Sequence, residues 1–399
     1  MGLISASVDR LLHTTAVPAG QSASAAAAAL HAGGPVVDLV VGSALFRNTF
    51  VTAAGRGHVD LPRLRAAGVN VVGMTVATRF PDLRGTLSRH HFRSLGAPRA
   101  ATTSSLVLAE WVIGRIEQWS TDSAGELIVV RDAQDLQSCL RPGGPVGMLL
   151  GIQGGHALDG DLANLDRLLD RGVRMFALAH VMDNAYVGSA TGQRKGGLTP
   201  MGRELIAELE RRSVLADLAH MSLAGIDDTL GLLTGPPILS HTGLVSRAAR
   251  SSRWRRYNPA SRNVPDSVAR AIGEAGGVVG IVLSTRLLGG ETIDDAVATF
   301  SRAVEVAGAG GVAIGSDMDG ALRTVVDAAG LPLLTDALLA DGIPSGAVAG
   351  VLGANAVRLL SGSLGAWRRG RDSNPRTFRS AVFKTAAINH SATSPAGQG

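Results

Sequence analysis

Eight short, unbroken aliphatic runs alternate along this sequence with amphipathic segments of helical length, such as LTPMGRELIAELERRS. Runs this continuous are typical of parallel strands that are covered on both faces, and strand–helix alternation indicates βαβ units. Eight units fit one (β/α)8 barrel of about 250 residues plus insertions. We therefore predict a TIM-type α/β barrel, with strands at residues 36–41, 69–77, 146–152, 173–179, 214–219, 237–240, 277–283 and 311–316.

The length of the chain does not by itself choose this fold, because 399 residues could form two ordinary domains or one large barrel. A doubly wound open sheet is the structural alternative. It is disfavoured because no Gly-x-Gly-x-x-Gly turn follows the first aliphatic run. We predict an N-terminal extension over residues 1–35, the barrel over 36–364 and a separate tail over 365–399.

The tail carries the whole formal net charge of +5, because six basic residues and one acidic residue follow residue 366. The tail has no clear strand or helix period, so we expect it to be disordered. It resembles the product of a reading frame that continues through the antisense strand of a transfer-RNA gene. Our hypothesis is that it is read-through sequence, and a transcript without that gene's T-arm at these codons would reject it; a genuine basic tail is the alternative.

Composition excludes several classes of protein. Cys139 is the sole cysteine, which rules out an internal disulfide and a cysteine-based zinc site. No apolar run approaches the roughly 18 residues of a membrane span. The N-terminus lacks a basic segment followed by an apolar one, so we expect a cytoplasmic protein. Nucleic acid is not an expected partner, because basic character is confined to the tail and the chain has 14 aromatic residues.

Polar residues end five of the predicted strands, namely Gln153, His180, His220, His241 and Asp317. The carboxyl ends of all barrel strands open on one face, and that face carries the chemistry. A lone histidine at a strand end is more often a packed core residue, but three histidines and an aspartate on separate strands indicate a site. His220 and His241 end adjacent strands, which lets two imidazoles share one zinc ion.

Several stretches, in this order and spacing, resemble the membrane (renal) dipeptidases, which are zinc-dependent barrel peptidases of the amidohydrolase-like superfamily. The resemblance covers residues 36–360. It rests on GGHALDGDLANLDRLLDRGVRMFALAH, GLTPMGRELIAELERRSVLADLAHMS, ILSHTG, SRNVPDSVARAIGEAGGVVGI, VAIGSDMDG and LLADGIPSGAVAGVLGANAVRLL.

The resemblance implies a role for each matching residue. His220 and His241 match the histidines of the family's second zinc, and His180 matches the histidine that binds the substrate carbonyl and stabilises the oxyanion. Arg262 matches the arginine that holds the substrate carboxylate, a task that suits a planar guanidinium. Asp317 matches the catalytic aspartate, which would act as general base. Asp319 is expected to be a turn residue.

Two departures from the family pattern bear on the metal. The family's first strand ends in His-x-Asp, the ligands of its first zinc, but Val40 and Gly42 stand there in this chain. Gln153 replaces the glutamate that bridges both ions, and a neutral amide offers one modest carbonyl donor. We therefore expect one zinc ion where the family pattern has two, held by His220 and His241 with Asp317 or Gln153 helping.

His58 and Asp60 form a second His-x-Asp in the stretch GHVDLPRL. By register this stretch is a helix entry, with Asp60 as the N-cap and Pro62 in the first turn. A metal-binding role for His58 is therefore disfavoured, and His156 is expected to order its loop rather than bind metal.

The resemblance implies a zinc metallodipeptidase that cleaves a dipeptide or a similar small amide with a free carboxylate. Members of that family commonly form homodimers, but this sequence shows no interface signal of its own. The missing ligands keep two alternatives open. One is a catalytically impaired relative that binds a small ligand or a protein. The other is a changed reaction on a modified amino-acid amide. A measurement of zinc content distinguishes the impaired relative from a dipeptidase. A comparison of activity toward dipeptides and toward other amides distinguishes the changed reaction from dipeptide cleavage.

Overall fold

The structure is a computed structural model, and it describes residues 7, 10–18, 20–47, 49–81, 87–247 and 259–372. All eight predicted strands form. They are β1 (Val37–Val41), β2 (Val71–Ala77), β3 (Val146–Gln153), β4 (Val173–Ala177), β5 (Leu215–Asp217), β6 (Ile238–Thr242), β7 (Val278–Ile281) and β8 (Val312–Ile314). The predicted tail lies outside the described residues from 373 onward.

The eight strands are parallel and close into a barrel. Each strand pairs with the next one along the chain, from β1 and β2 through β7 and β8. The ring closes where Asp38 of β1 lies opposite Ile314 of β8. The predicted TIM-type barrel is confirmed, and an open doubly wound sheet is ruled out. A short extra strand, Leu127–Val129, pairs with the start of β3.

Helices surround the barrel. The α-helices are Ala25–Gly33, Ser43–Phe46, Leu61–Ala66, Ser105–Asp122, Ala133–Leu140, Asn164–Asp170, Pro200–Arg211, Leu223–Leu230, Pro259–Arg262, Asp266–Glu274, Thr285–Leu288, Ile293–Ala307, Leu331–Ala340, Ser345–Ala349 and Asn355–Asp372. Short 3-10 turns are Arg89–Leu95, Arg99–Thr102, Gly155–Leu158, Val245–Arg247 and Ala328–Gly330, and Gly350–Ala354 is a π-helical turn. Two-residue strands, Phe80–Pro81 and Leu87–Ser88, pair outside the barrel.

Side-chain caps explain where several helices begin. Asp60 accepts a hydrogen bond from the main-chain N–H of Arg63, with Pro62 in the first turn, as the sequence predicts. Thr199 accepts in the same way from Gly202 at the start of Pro200–Arg211. These oxygens satisfy N–H groups that have no partner within the helix.

The last helical stretch covers the amino-terminal end of the barrel. Although the sequence has no unbroken apolar run as long as a membrane span, Ser345–Ala366 is the one helical segment among the described residues that is long and apolar enough to cross a membrane, and 56% of its most apolar window is buried inside the protein. Ala356, Leu359, Leu360 and Leu364 belong to one core cluster with residues of the barrel strands. The apolar face of this helix is therefore already covered by the protein's own core.

The N-terminal segment reaches the opposite end of the barrel. Thr15 forms a parallel bridge with Thr324, which follows β8. The N–H of Ala16 donates to the Thr324 carbonyl at 2.9 Å, and the N–H of Val17 donates to the Val325 carbonyl at 2.9 Å. Part of the predicted 1–35 extension thus adds a short strand to a loop at the carboxyl-terminal face.

Candidate active site

Residues predicted to form the site come together at the carboxyl-terminal face of the barrel. The Nε2 atoms of His220 and His241 lie 3.0 Å apart, and Gln153 Nε2 lies 3.4 Å from His241 Nε2. The ring centroid of His180 is 4.8 Å from that of His220. Three histidines and the glutamine thus form one cluster at the ends of β3 to β6, where the sequence predicts it, and Gln153, His220 and His241 are buried.

A hydrogen-bonded chain orients His241. Ser240 Oγ donates to Asp217 Oδ2 at 2.5 Å and lies 2.8 Å from His241 Nδ1. Because the serine proton is directed to the carboxylate, its oxygen accepts from the Nδ1–H of the imidazole. The lone pair of His241 is then on Nε2, which faces His220. This carboxylate–serine–histidine chain was not predicted, although Asp217 and Ser240 are polar residues inside otherwise aliphatic runs.

The side chain of His220 is buried, and its main chain is fixed by an unusual backbone conformation and a hydrogen bond. Its φ is +64°, in the left-handed region that non-glycine residues seldom adopt, and its carbonyl accepts from the Ala190 N–H at 2.8 Å. Its Nδ1 atom is buried without a hydrogen-bond partner among the described residues. Burial lowers the pKa of both His220 and His241 well below the usual histidine value, and the positive charge of Arg262 lowers it further. Both rings are therefore neutral, as a metal ligand requires.

The environment of His180 also favours the neutral ring. Burial lowers the pKa of His180 to about 3, and His156 and Arg262 contribute in the same direction. A hydrogen bond to the main chain of Arg79 opposes this shift. His156 was expected only to order its loop, but it lies near enough to His180 to affect its titration, and its own pKa falls to about 4 because it is buried.

Arg262 lies inside the cluster and not on the surface. It is 2% exposed, and its Nη2 donates to the His241 carbonyl at 2.8 Å. Its charge lowers the pKa of Asp317 as well as those of the three histidines. A guanidinium in this position supplies positive charge to the whole cluster.

Asp317 follows β8 in a left-handed conformation with a φ of +58°. Burial raises the pKa of its carboxyl to about 7; Arg262 opposes this increase and Asp38 adds to it. Asp38 was not predicted to belong to the site. Its carboxylate accepts from the hydroxyl and the N–H of Ser316, and burial raises its pKa to about 6. Asp317 is thus poised to exchange a proton near neutral pH.

His220 and His241, which match the ligands of the family's second zinc, provide some but not all of the ligands that a metal ion needs. Two neutral imidazoles face each other, with their Nε2 atoms 3.0 Å apart. Within the part of the chain that the structure describes, no group of three or more histidine, cysteine, aspartate or glutamate side chains has the geometry of a metal site. The structure therefore brings His220 and His241 together as a pair and adds no third ligand of these types to them.

The half that corresponds to the first zinc does not suit a metal ion. Val40 is buried in a hydrophobic cluster. A Cβ atom at Gly42 would lie 2.6 Å from the Asp319 carbonyl oxygen and 2.8 Å from Gly320 Cα. The N–H of Gly42 donates to the Met318 carbonyl at 2.7 Å, so the end of β1 is closed by the turn after β8. A ligand side chain at position 42 would need that turn to move.

His58 has no nitrogen available for a metal, which agrees with the sequence-based interpretation. Its Nδ1 accepts from the Asp319 N–H at 3.0 Å, and its Nε2 lies 3.0 Å from the Thr14 carbonyl. Asp319 is more than the expected turn residue, because its buried carboxylate pairs with Arg47 at 3.1 Å.

Comparison with known proteins identifies the family. The model of the membrane dipeptidase family, peptidase family M19, matches residues 24–364, which is most of the chain. This chain belongs to the membrane dipeptidase family. It is also similar to dipeptidase tcpJ of Claviceps purpurea (strain 20.1), with 28% identity over 316 residues that cover 76% of this chain and 69% of the relative.

Solved structures share the fold of this membrane dipeptidase family member. A metallopeptidase from Rhodobacter sphaeroides, bound to a phosphinate mimic of the dipeptide L-Ala-D-Ala, superposes with a TM-score of 0.68 at 24% identity, covering 82% of this chain and 98% of that one. The probable dipeptidase PvdM from Pseudomonas aeruginosa gives a TM-score of 0.71 at 17% identity, covering 85% and 98%. At sequence identities this low, the similarity to these structures shows the barrel fold and nothing more.

Proposed function

We propose that this chain is a metal-dependent hydrolase that cleaves the amide bond of a dipeptide or a similar small amide with a free carboxylate. One observation carries the proposal: two neutral imidazoles lie with their Nε2 atoms 3.0 Å apart beside a buried arginine, in a chain that belongs to the membrane dipeptidase family. Relatives with dipeptidase in their names, and a neighbour bound to a dipeptide mimic, support the substrate class.

We propose zinc as the metal, with one ion per chain held by His220 and His241. The expected contribution of Gln153 is its side-chain oxygen, after rotation of an amide whose nitrogen now faces His241. A bound zinc ion would act as a Lewis acid and acidify water. Two histidines and one amide are a weaker set than the three ligands usual in catalytic zinc sites, so we expect weak binding and slow turnover.

The protein's own residues would divide the remaining work. Asp317, with a pKa of about 7, would take a proton from the attacking water and deliver it to the leaving nitrogen. Arg262 would hold the substrate carboxylate with its planar fork. A neutral His180 has one N–H, and the Arg79 main chain uses it in this structure. Its predicted role as oxyanion partner therefore requires the other tautomer when substrate is bound.

A second candidate function is a barrel of the same family that binds a small carboxylate or a protein without hydrolysing it. It is favoured by the closed end of β1 and by the lack of a third histidine, cysteine, aspartate or glutamate ligand among the described residues. A binding barrel does not, however, explain why the pKa of Asp317, which lies beside Arg262, is raised.

The deciding experiment measures zinc content by mass spectrometry together with dipeptide hydrolysis on the full chain. We expect about one zinc per chain, and loss of both binding and cleavage in His220→Ala. Gln153→Glu is expected to strengthen zinc binding about tenfold or more, because it restores an anionic ligand. A chain that binds no zinc and cleaves nothing after metal loading would support the binding barrel, and two ions per chain would contradict the closed end of β1.

The assembly and location remain predictions. The homodimer that the family resemblance implies can be tested by light scattering, and the cytoplasmic location by cell fractionation.

A further inference from the structure

The residues around Asp317 form a tight turn, residues 316–321, which we call the Asp317 turn. Asp317, Asp319 and Ala321 all have left-handed φ values, of +58°, +57° and +62°. Such conformations are unfavourable for residues other than glycine and persist only where surrounding contacts hold them. The conformation of this turn therefore needs an external support.

Every main-chain N–H of the turn donates a hydrogen bond, and four of the six acceptors lie outside the turn and provide that support. The acceptors are Asp38 Oδ1 for Ser316, the Val40 carbonyl for Asp317, Ser316 Oγ for Met318, His58 Nδ1 for Asp319, the Asp317 carbonyl for Gly320 and His13 Nε2 for Ala321. Two of these six acceptors are histidine ring nitrogens, which lie 3.0 Å and 3.1 Å from the amide nitrogens.

The roles of the ring nitrogens follow from their partners. A main-chain N–H can only donate, so His58 Nδ1 and His13 Nε2 must both carry lone pairs. His58 then bears its proton on Nε2, which lies 3.0 Å from the Thr14 carbonyl. His13 bears its proton on Nδ1, on the side of the Asp319 carboxylate 3.9 Å away. Both rings are buried, and each can accept only in one neutral tautomer.

The side-chain carboxylate of Asp319 also stabilises this turn, through contacts with residues outside it. Its Oδ2 accepts from Ser43 Oγ at 2.8 Å and pairs with Arg47 Nε at 3.1 Å. Its Oδ1 accepts from the His58 N–H at 2.7 Å. Ser43 and Arg47 lie in and just after the short helix that follows β1, close to positions 40 and 42, where the family resemblance places the first-zinc ligands. An arginine and two histidines of the chain itself thus hold the element that closes the end of β1.

His13 precedes the part of this chain that the family model matches. The family model begins at residue 24. The segment that carries His13 is fixed by the strand-like pairing of Thr15 with Thr324. The support of the Asp317 turn therefore depends in part on the N-terminal extension of this chain.

We propose that His13 and His58 are positioning residues for Asp317, which they hold in place by accepting main-chain hydrogen bonds from the turn that carries it. The catalytic part of this inference rests on the proposed role of Asp317 as general base. The hydrogen-bonding part does not depend on that role, so each part has its own readout.

Two pairs of variants distinguish the effect of losing the hydrogen-bond acceptor from the effect of losing the imidazole ring. An asparagine oxygen reaches about as far as Nδ1, and a glutamine oxygen about as far as Nε2. His58→Asn and His13→Gln therefore keep an acceptor at the required place, whereas His58→Gln and His13→Asn move it. Amide hydrogen exchange of a peptide spanning residues 315–325 reports the turn directly. The values of kcat and KM for a dipeptide report Asp317.

We expect the displaced-acceptor variants to exchange about tenfold or more faster in that peptide, because a buried N–H that loses its acceptor destabilises the closed turn. Their kcat should fall about ten- to a hundredfold, with KM within about threefold, because a displaced general base impairs the chemical step. The retained-acceptor variants should stay within about threefold of the natural chain in both measurements.

Three results would overturn the inference. One is equal exchange in all four variants. Another is faster exchange across the whole barrel, which would mean general destabilisation. The third is faster exchange in the 315–325 peptide with an unchanged kcat. If the natural chain hydrolyses nothing, the proposed function fails, while the exchange comparison still decides whether the two histidines hold the turn.

Discussion

Burial sets the protonation of the histidines at the carboxyl-terminal face of the barrel. Burial is the largest cause of the lowered pKa at five of them, namely His58, His156, His180, His220 and His241. The site aspartates shift the other way, since burial raises the pKa of Asp38 and Asp317. A neutral imidazole can bind a metal ion, and a carboxyl with a pKa of about 7 suits proton transfer near neutral pH.

His156 offers a test of these pKa shifts. The folded-state pKa of about 4 lies below the unfolded value of about 6.5, so the unfolded chain binds the extra proton first as the pH falls. The natural chain should therefore lose stability relative to His156→Gln between pH 6.5 and 4, by up to about 3 kcal/mol. Urea unfolding at several pH values measures this difference.

His90→Gln is the matched control, because His90 is exposed. It makes the same substitution at a side chain that lies in solvent. A His156→Gln curve that runs parallel to that of the natural chain would show that the His156 ring is not held in a buried, neutral state.

At the scale of elements, the contact between β1 and the Asp317 turn closes the end of β1, where the family resemblance places an aspartate ligand at position 42. Gly42 lies against the main chain of Asp319 and Gly320, and main-chain atoms cannot rotate away as a side chain can. The family's aspartate cannot be restored at position 42 without rebuilding the turn.

Gly42→Ala tests this contact directly. Its Cβ would lie 2.6 Å from the Asp319 carbonyl oxygen, so we expect the free energy of unfolding to fall by about 1–3 kcal/mol. Gly55→Ala is the control, since a Cβ there meets nothing within 4 Å. Urea denaturation of both variants gives the comparison. Equal stabilities would mean that the end of β1 is open enough for a ligand.

At the scale of the whole molecule, the last helix closes the amino-terminal end of the barrel. Its apolar composition would also suit a membrane span, but its buried leucines lie in one cluster with residues of the barrel strands. The chain thus uses this apolar surface to complete its own core.

Leu360→Ala tests that role. Leu360 is 1% exposed, so truncating it should lower the free energy of unfolding by about 2–5 kcal/mol. Leu232→Ala removes the same atoms at a side chain that is 38% exposed and should cost much less. Thermal or urea unfolding distinguishes the two variants. An unchanged stability in Leu360→Ala would contradict a core role for this helix.

The sequence alone determines the barrel, because buried parallel strands need continuous aliphatic runs and because the helices carry local caps such as Asp60. It also locates the histidine cluster, since a polar residue that ends a strand must lie at the carboxyl-terminal face. Only the tertiary structure reveals that His241 is oriented through Ser240 by Asp217, that the Asp317 turn fills the space beside Gly42, and that His13 reaches this turn from the N-terminal extension. These contacts join residues far apart in the chain, and no local pattern encodes which distant backbone amide a ring nitrogen will meet.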